Sequence, residues 1–299
     1  MRYLALDVGG SGIKYALANE ACALSDKGVL PTCYATHEEF VEAVSQIRAR
    51  FGELDGIAIS TCGEVDPLTG DMHTGGTLRY NAGTNMIRSV ETRCNLPVSV
   101  ENDANCALIA ETSDGALADC DNGMIAVIGT AIGGAILIDG RIYHGSRFHS
   151  GNASYIRTDV SRPESNLLAD TTGVASLIRA YTTASGQAAT GVTTEYIFSR
   201  VNQGEPAALA ALDSYCTPLA GFIYNAQMLL DLQVVAVGGG ISAQPTLVPA
   251  VQTAVDHLFD IAPIPLPRPT IRCCRHRNDA NLIGATRHHL QVFRQAKAA

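Results

Sequence analysis

The 299-residue chain has no tryptophan, only three lysines (Lys14, Lys27 and Lys297), and no C-x-x-C pair among its nine cysteines. The missing tryptophan excludes nothing. The scarcity of lysine, with 29 acidic against 21 basic residues and a formal net charge of −8, speaks against nucleic acid as a partner. Duplexes are held by a clustered basic face, and here the arginines are scattered. Aromatic residues make up 6% of the chain and form no stacking motif, so single-strand binding gains no support either. Gly, Asp or Asn interrupts every apolar run well short of the roughly 18 residues that a membrane helix needs, so no membrane partner is expected. Met1-Arg2-Tyr3 leads straight into Leu4-Ala5-Leu6-Asp7 without an apolar leader core. An odd number of dispersed cysteines suits reduced thiols better than a disulfide framework. Cys273-Cys274 with His276 could bind a metal, but no second ligand pair stands at a suitable spacing. The expected location is the cytoplasm.

What is present is ample apolar material, 46% of residues against 17% charged, enough to fill one large domain or two of ordinary size. Arg2 to Val8 and Ile13 to Ala18 read as strands around the turn Gly9-Gly10-Ser11-Gly12, and a third strand is expected near Val29 to Ala35. Phe40, Val44 and Ile47 give helical spacing from His37 to Phe51. A buried strand from Leu54 to Thr61 leads into a turn-rich stretch that holds Gly70, Gly75 and Gly76. Asn85 to Cys94 reads as a helix, Val98 to Val100 as a strand and Asp103 to Glu111 as a helix.

Near residue 112 the pattern restarts. Met124 to Ile128 and Ala135 to Ile138 are strands flanking a second glycine turn, Gly129 to Gly134. Helices follow at Thr172 to Ser185 and Pro206 to Leu230, then a strand at Val234 to Val237. The triplet Gly238-Gly239-Gly240 precedes a helix from Leu247 to Phe259, a strand at Thr270 to Cys273 and a last helix from about Ala280. Two halves, each opening on a glycine hairpin, predict a duplicated α/β architecture of two lobes around a cleft, a usual place for a ligand. The expected lobes are 1–112 with the helix 280–299, and 113–279.

Asp7-Val8-Gly9-Gly10-Ser11-Gly12-Ile13-Lys14 sets a carboxylate at a strand end, before glycines whose N–H groups can converge on a phosphate, with one cation nearby. Asp7 would then stand where a phosphate-bound Mg²⁺ or its water needs an oxygen. The plain alternative is a hairpin in which Asp7 fixes the turn. This is not a Walker loop, since no helix follows and the lysine spacing is wrong. Gly129 to Gly134, with the Thr130 hydroxyl, and Gly238-Gly239-Gly240 repeat the cue, and three such turns are harder to dismiss than one. Glu101-Asn102-Asp103-Ala104-Asn105 opens an apolar helix. It is either a helix cap or a site in which Asp103 accepts a hydroxyl proton and Asn102 orients that hydroxyl. His144, His149, His288 and His289 have no partner visible in sequence and read as ordinary histidines. Asp159, Glu164, Glu195 and Glu205 read as solvated charges.

With these residues in hand, the chain resembles the ROK family of sugar kinases over essentially its whole length. The matching segments are DVGGSGIK at 7–14, GEVDPLTG at 63–70, ENDANCA at 101–107, GTAIGGAI at 129–136 and VGGGIS at 237–242. The resemblance implies an actin-like ATPase (ribonuclease H-like) α/β fold, ATP and Mg²⁺ as cofactors, a small-molecule sugar as partner and a homodimer. It implies Asp103 as catalytic base, Asn102 as a sugar ligand, and Asp7 at the Mg²⁺ and phosphate site. It further implies phosphate contacts from Gly9, Gly10, Ser11, Lys14, Gly129, Thr130 and Gly133, and a nucleotide pocket lined by Gly239 and Gly240. Repressor members carry an N-terminal helix-turn-helix, whereas here the first strand begins at residue 2, so a repressor is not expected.

Departures from the family pattern narrow the substrate. Most ROK glucokinases have H-x-G-E-x-G-H followed by a cysteine zinc motif, whereas this chain reads His149-Ser150-Gly151-Asn152-Ala153-Ser154-Tyr155. Asn152 replaces the sugar-contacting Glu and Tyr155 the zinc-binding His. Positions 156–175 hold no cysteine, so no structural zinc is expected. Asp170 stands where the family has a further sugar-binding Glu. Tyr in that slot is similar to a zinc-less branch that includes bacterial β-glucoside kinases and some N-acetylmannosamine kinases, and the β-glucoside kinases are similar further in G-G-x-x-R from Gly75 to Arg79, in Arg147-Phe148 and in the run Asp170-Thr171-Thr172. Losing one charged hydrogen bond would weaken glucose binding by about 1.5–3 kcal/mol unless a different group at C1 or C2 restores contacts. A β-glucoside or otherwise modified hexose, phosphorylated at O6, is the expected acceptor. N-acetylmannosamine, glucose and fructose are the alternatives, and a catalytically silent sugar sensor is the rival of another class.

Overall fold

A computed structural model describes residues 1–32, 34–161 and 166–298. Cys33 and Glu164 lie outside the described residues. The chain divides into two compact units: Met1–Ser113 with His144–His149 and the residues from Asp279 onward, and Asp114–Tyr143 with Ser150–Asn278.

The first unit contains β1 (Arg2–Val8), β2 (Ile13–Asn19), β3 (Leu24–Leu30), α1 (His37–Arg48), β4 (Gly56–Thr61), α2 (Met86–Cys94), β5 (Val98–Asn102) and α3 (Asp103–Asp114). Its sheet runs β3-β2-β1-β4-β5. The first three strands are antiparallel, while β4 and β5 run parallel to β1. Strands covered on both faces read as unbroken apolar runs, as Leu4-Ala5-Leu6 and Ile57-Ala58-Ile59 do. On one face Leu4, Leu6, Ile57 and Ile59 pack with Phe40, Val44 and Ile47 of α1 and with Met86 and Val90 of α2. On the other, small residues let helices come close: Ala5 and Ala16 meet Leu282, and Ala58 meets Cys106 and Ala285.

The third strand forms earlier in the chain than the expected Val29 to Ala35. It is an edge strand, mostly exposed, so it needs no apolar alternation. Asp26 sits at φ 49° within it, and Pro31, with no N–H to donate, follows its last residue.

The second unit opens with β6 (Gly123–Ile128), β7 (Ile132–Ile138) and β8 (Arg141–Ile142). It continues through α4 (Leu168–Thr172), α5 (Val174–Ser185), α6 (Thr194–Asn202) and α7 (Pro206–Leu230), then β9 (Val234–Gly238), α8 (Leu247–Asp260) and β10 (Thr270–Cys273). Its sheet order, β10-β9-β6-β7-β8, repeats that of the first unit, with the opening antiparallel hairpin and two parallel strands in the same places. Tyr181, Phe198, Tyr215 and Phe259 fill its core. The glycine turn is shorter than expected, because Gly133 and Gly134 already pair with Val127 and Ala126. The helix expected at Thr172 to Ser185 begins at Val174, and a short helix not read from sequence, α4, precedes it. Gly173 is extended (φ −69°, ψ 163°), and the Val174 N–H leaves the helix to donate to the Gly129 carbonyl at 3.0 Å. The last helix, α9 (Ala280–Ala298), returns to the first unit and packs across β1, β4 and β5. Among the described residues no helix is long and apolar enough to cross a membrane.

Candidate functional site

Strand register places the acidic residues of the first unit. Asp7 pairs with Ser60 across β1 and β4, and Ser60 with Glu101 across β4 and β5, so the three stand abreast at the carboxyl ends of neighbouring parallel strands. Strand carboxyl ends are where open α/β sheets take ligands. Asp7 is buried. Its Oδ1 accepts from Ser60 Oγ at 3.2 Å and from Asn281 Nδ2 of α9 at 2.9 Å. Its Oδ2 faces the half-exposed Lys14 ammonium at 3.3 Å. One carboxylate oxygen is thus fixed by neutral donors and the other meets a cation. A Mg²⁺ held mainly by phosphates and water asks for one such carboxylate, so the donor set fits that ion.

The turn after Asp7 is tight. The Gly9 N–H donates to the Gly12 carbonyl at 3.1 Å and Thr32 Oγ1 donates to the Gly9 carbonyl at 3.0 Å. Gly10 and Ser11 are exposed at its tip, and a Cβ on Gly10 would stand 2.7 Å from Thr77 Oγ1.

One residue past β5 the strand becomes a helix without a loop. Asn102 caps α3, its Oδ1 accepting from the N–H groups of Ala104 (2.9 Å) and Asn105 (3.3 Å), and its Nδ2 donates to the Gly63 carbonyl at 3.0 Å. Asp103 is the first residue of α3, and its Oδ1 accepts from the Ala104 N–H at 2.8 Å. Burial, and after it the negative charge of Asp7, push the Asp103 carboxyl up to about 6, although backbone N–H groups and Asn102 pull the other way. Asn102 thus provides the main cap of α3, and Asp103 shares the Ala104 N–H with it.

Glu101 is fully buried (0% exposed). Its Oε1 accepts from the Asn102 N–H at 2.7 Å and from Asn105 Nδ2 at 2.9 Å, and its Oε2 meets His144 Nε2 at 2.8 Å. Burial alone would raise this carboxyl. The hydrogen bond and charge of His144, with smaller help from His288 and Asn105, more than offset it and hold Glu101 below its ordinary value. Glu101 in turn raises His144, while burial lowers His288.

His144 belongs to the segment His144–His149, which the first unit includes although its chain neighbours belong to the second. His149 Nδ1 meets Glu64 Oε1 at 2.9 Å. Phe148, at φ 56°, stacks on His73 with ring centroids 5.5 Å apart and planes 11° apart. Gly63 (φ 92°) and Gly76 (φ 55°) hold the facing loop, and a Cβ on Gly76 would stand 2.9 Å from the Gly63 nitrogen.

The remaining site residues named from sequence lie in the second unit. Gly129 and Thr130 are exposed at the tip of the β6–β7 turn, where the Gly129 N–H donates to the Ala131 carbonyl at 2.9 Å. A Cβ on Gly173 would strike the Thr130 carbonyl, so the start of α5 is pressed against that turn. Gly239 (φ 89°) follows β9 with its α-carbon against the Ile128 carbonyl, and Gly240 opens a short 3₁₀ turn. Glycine at 173 and 239 is thus required by backbone packing within the unit, whereas a Cβ on Gly129 or Gly240 would meet open space. Ser154 Oγ donates to the Ile132 carbonyl at 2.6 Å, which ties the segment Asn152–Tyr155 to β7. Tyr155 itself is 65% exposed. Asp170 is exposed on α4, and its Oδ2 accepts from the Leu167 N–H at 3.3 Å.

Several expectations need correction. His144 and His149 do have partners, in Glu101 and Glu64. His289 is buried with Nδ1 2.9 Å from Ser99 Oγ, and burial pushes it down to about 4. Glu205 is not simply solvated: it accepts from the Tyr181 hydroxyl at 3.0 Å. Cys273 Sγ and His276 Nε2 are engaged by the Ser242 carbonyl and by Asp114, and among the described residues no three His, Cys, Asp or Glu side chains group to hold a metal. Ser60, Asn281, Glu101 and His144 were missed as parts of the site. Only Glu101, inside ENDANCA, had a local signal.

A family model described as the ROK family matches residues 3–291. A β-glucoside kinase from Listeria innocua is 31% identical over 294 residues, covering 97% of this chain and 98% of the relative. A ROK family protein from Streptococcus pneumoniae TIGR4, solved in complex with sucrose, is 29% identical with a TM-score of 0.87, covering 99% of this chain and 100% of its own. A ROK family glucokinase from Streptomyces griseus, solved with glucose and AMPPNP, is 20% identical with a TM-score of 0.83, covering 97% and 100%, a likeness of fold.

Proposed function

The chain belongs to the ROK family and has its α/β, actin-like ATPase fold; on that premise we propose that it is an ATP-dependent sugar kinase acting on O6 of a hexose or hexoside. The observation that carries this reading is the Asp103 carboxyl: half-buried, first in its helix, with a pKa near 6 and Asn102 beside it. A base poised near the working pH takes a hydroxyl proton without being neutralised in advance.

Asn102 orients the acceptor. Asp103 then removes the proton from the acceptor hydroxyl as that oxygen attacks the γ-phosphorus of ATP. Gly9, Gly10, Ser11 and Lys14 of the first unit, and Gly129, Thr130, Gly133, Gly239 and Gly240 of the second, are assigned to the nucleotide and its phosphates. Backbone N–H groups in such turns stabilise phosphate charge with little reorganisation. Asp7 would hold Mg²⁺ directly or through water, and the bound ion would neutralise charge on the leaving diphosphate.

The acceptor we favour is a β-glucoside or modified hexose. Support comes from the uncharged pair Asn152 and Tyr155, and from the β-glucoside kinase relative at 31% identity. Asn152, Tyr155, Asp170 and Gly76 are its remaining proposed contacts. An odd number of dispersed cysteines and ATP as donor suit the cytoplasm. A homodimer rests on family likeness, and light scattering at twice the chain mass tests it.

Coupled ADP release over a sugar panel tests the whole reading. A β-glucoside or 2-acetamido sugar should give the highest kcat/KM. Free glucose as best acceptor overturns the substrate assignment. Sugar binding without sugar-dependent ADP would make the protein a sensor instead.

A further inference from the structure

The sugar-kinase reading leaves one buried cluster unused. Glu101 is wholly inside the first unit, and a buried carboxylate persists only where it is paired and hydrogen-bonded. Its Oε1 is occupied by the Asn102 N–H and Asn105 Nδ2, both at the junction where β5 becomes α3. That leaves Oε2, whose partner is His144 Nε2 at 2.8 Å. The other ionisable groups near it are the buried Cys106 thiol of α3, which burial and the Glu101 charge push up, and His288 of α9. Its Nε2 is buried without a hydrogen-bond partner, and burial disfavours its charged form, so His144 is the cation available to Glu101. His144 faces Glu101, the more distant charge of Asp66 and the edge of Phe148.

We propose that His144 is a positioning residue for phosphoryl transfer: it holds the Glu101 carboxylate, and Glu101 fixes the peptide on which Asn102 and Asp103 are mounted. The chain of contacts is short. His144 holds Oε2, the same carboxylate grips the Asn102 N–H through Oε1, and the next residue is Asp103. Without His144, the buried carboxylate must take up a proton or turn toward water, and either change loosens the grip on the junction. This inference rests on Asp103 being the base, since a junction with no chemistry on it would need no such support.

The test compares wild type, H144A, H144Q, E101Q and the double variant H144A/E101Q in kcat, in KM for sugar and ATP, and in the pH dependence of kcat. H144A should lower kcat roughly 10- to 100-fold, with both KM values within about threefold, and should move the acid limb to higher pH as Glu101 takes up a proton, the ordinary response of an unpaired buried carboxyl. H144Q, whose amide also donates to Oε2, should recover most of that loss. In the E101Q background, where there is no charge to hold, removing His144 should change kcat by less than about threefold, the signature of two residues acting through one contact. An unchanged kcat and pH profile in H144A would overturn the proposal. So would an equal loss from H144A in both backgrounds, which would mean a general structural role. If H144A does not fold, H144N, whose amide is one methylene too short to reach Oε2, replaces it in both backgrounds. D103N run beside them separates the two readings: an active D103N defeats the base assignment itself, whereas an inactive D103N with a normal H144A defeats only the role of His144.

Discussion

Asp103 carries two opposed consequences of one burial. As the proposed base it must be ionised, so kcat/KM should fall as pH drops through about 6, the value to which burial and Asp7 push it. D7N removes the second cause and should move that limb to lower pH, whatever it costs in rate. D103N should lower kcat about 10²- to 10⁴-fold. Stability should respond in the other direction. A carboxyl raised from 3.8 to about 6 in the folded state costs stability wherever it is ionised. The melting temperature of D103N should therefore exceed that of wild type at pH 8, and the difference should shrink as pH falls from 6 to 4. A D103N protein less stable than wild type at pH 8 would contradict the raised pKa. Asp7, Asn102 and Asp103 stood out as candidates because each sits in a short motif beside glycine or at a helix start. Asn281 and His144 were not, because their partners lie 274 and 43 residues away in sequence, a separation only the folded register brings together.

Among the elements, the turns were more legible than their edges. Glycine triplets and strand periodicity located both hairpins and β9, while α6 went unread and β3 was placed too late, its residues being polar and its side of the sheet open. The short helix α4 went unread, and the start of α5 was placed two residues early, for a different reason: Gly173 is extended and fits against Thr130, a contact local propensity does not encode. The tightest of these positions is Gly239. It combines φ 89° with a collision between any Cβ and the Ile128 carbonyl. G239A should destabilise the protein by about 1–3 kcal/mol and raise KM for ATP with little change in KM for the sugar. Calorimetry and ATP titration would check it, and an unaffected KM for ATP would remove this turn from the nucleotide site.

For the whole molecule, the repeated sheet order in the two units was foreshadowed by the two glycine hairpins, but the registers that align Asp7, Ser60 and Glu101 were not. A ligand that binds only the folded state should stabilise the protein by about 2.7 kcal/mol at one hundred times its Kd. The acceptor sugar should raise the melting temperature of D103N as much as that of wild type, since Asp103 is assigned to chemistry rather than to affinity. A D103N protein blind to the sugar would transfer that residue to binding.

The placement of α9 has a consequence for biosynthesis. It covers the alanine face of the first sheet through Leu282 and Ala285, and it brings Asn281 to Asp7. It also leaves the ribosome after every other element of both units. A nascent chain must therefore carry that side of the opening sheet only partly covered, by α3, until both units have been made, and Asp7 gains its Asn281 contact only then. Stalled or prematurely terminated products should consequently be the species that chaperones retain.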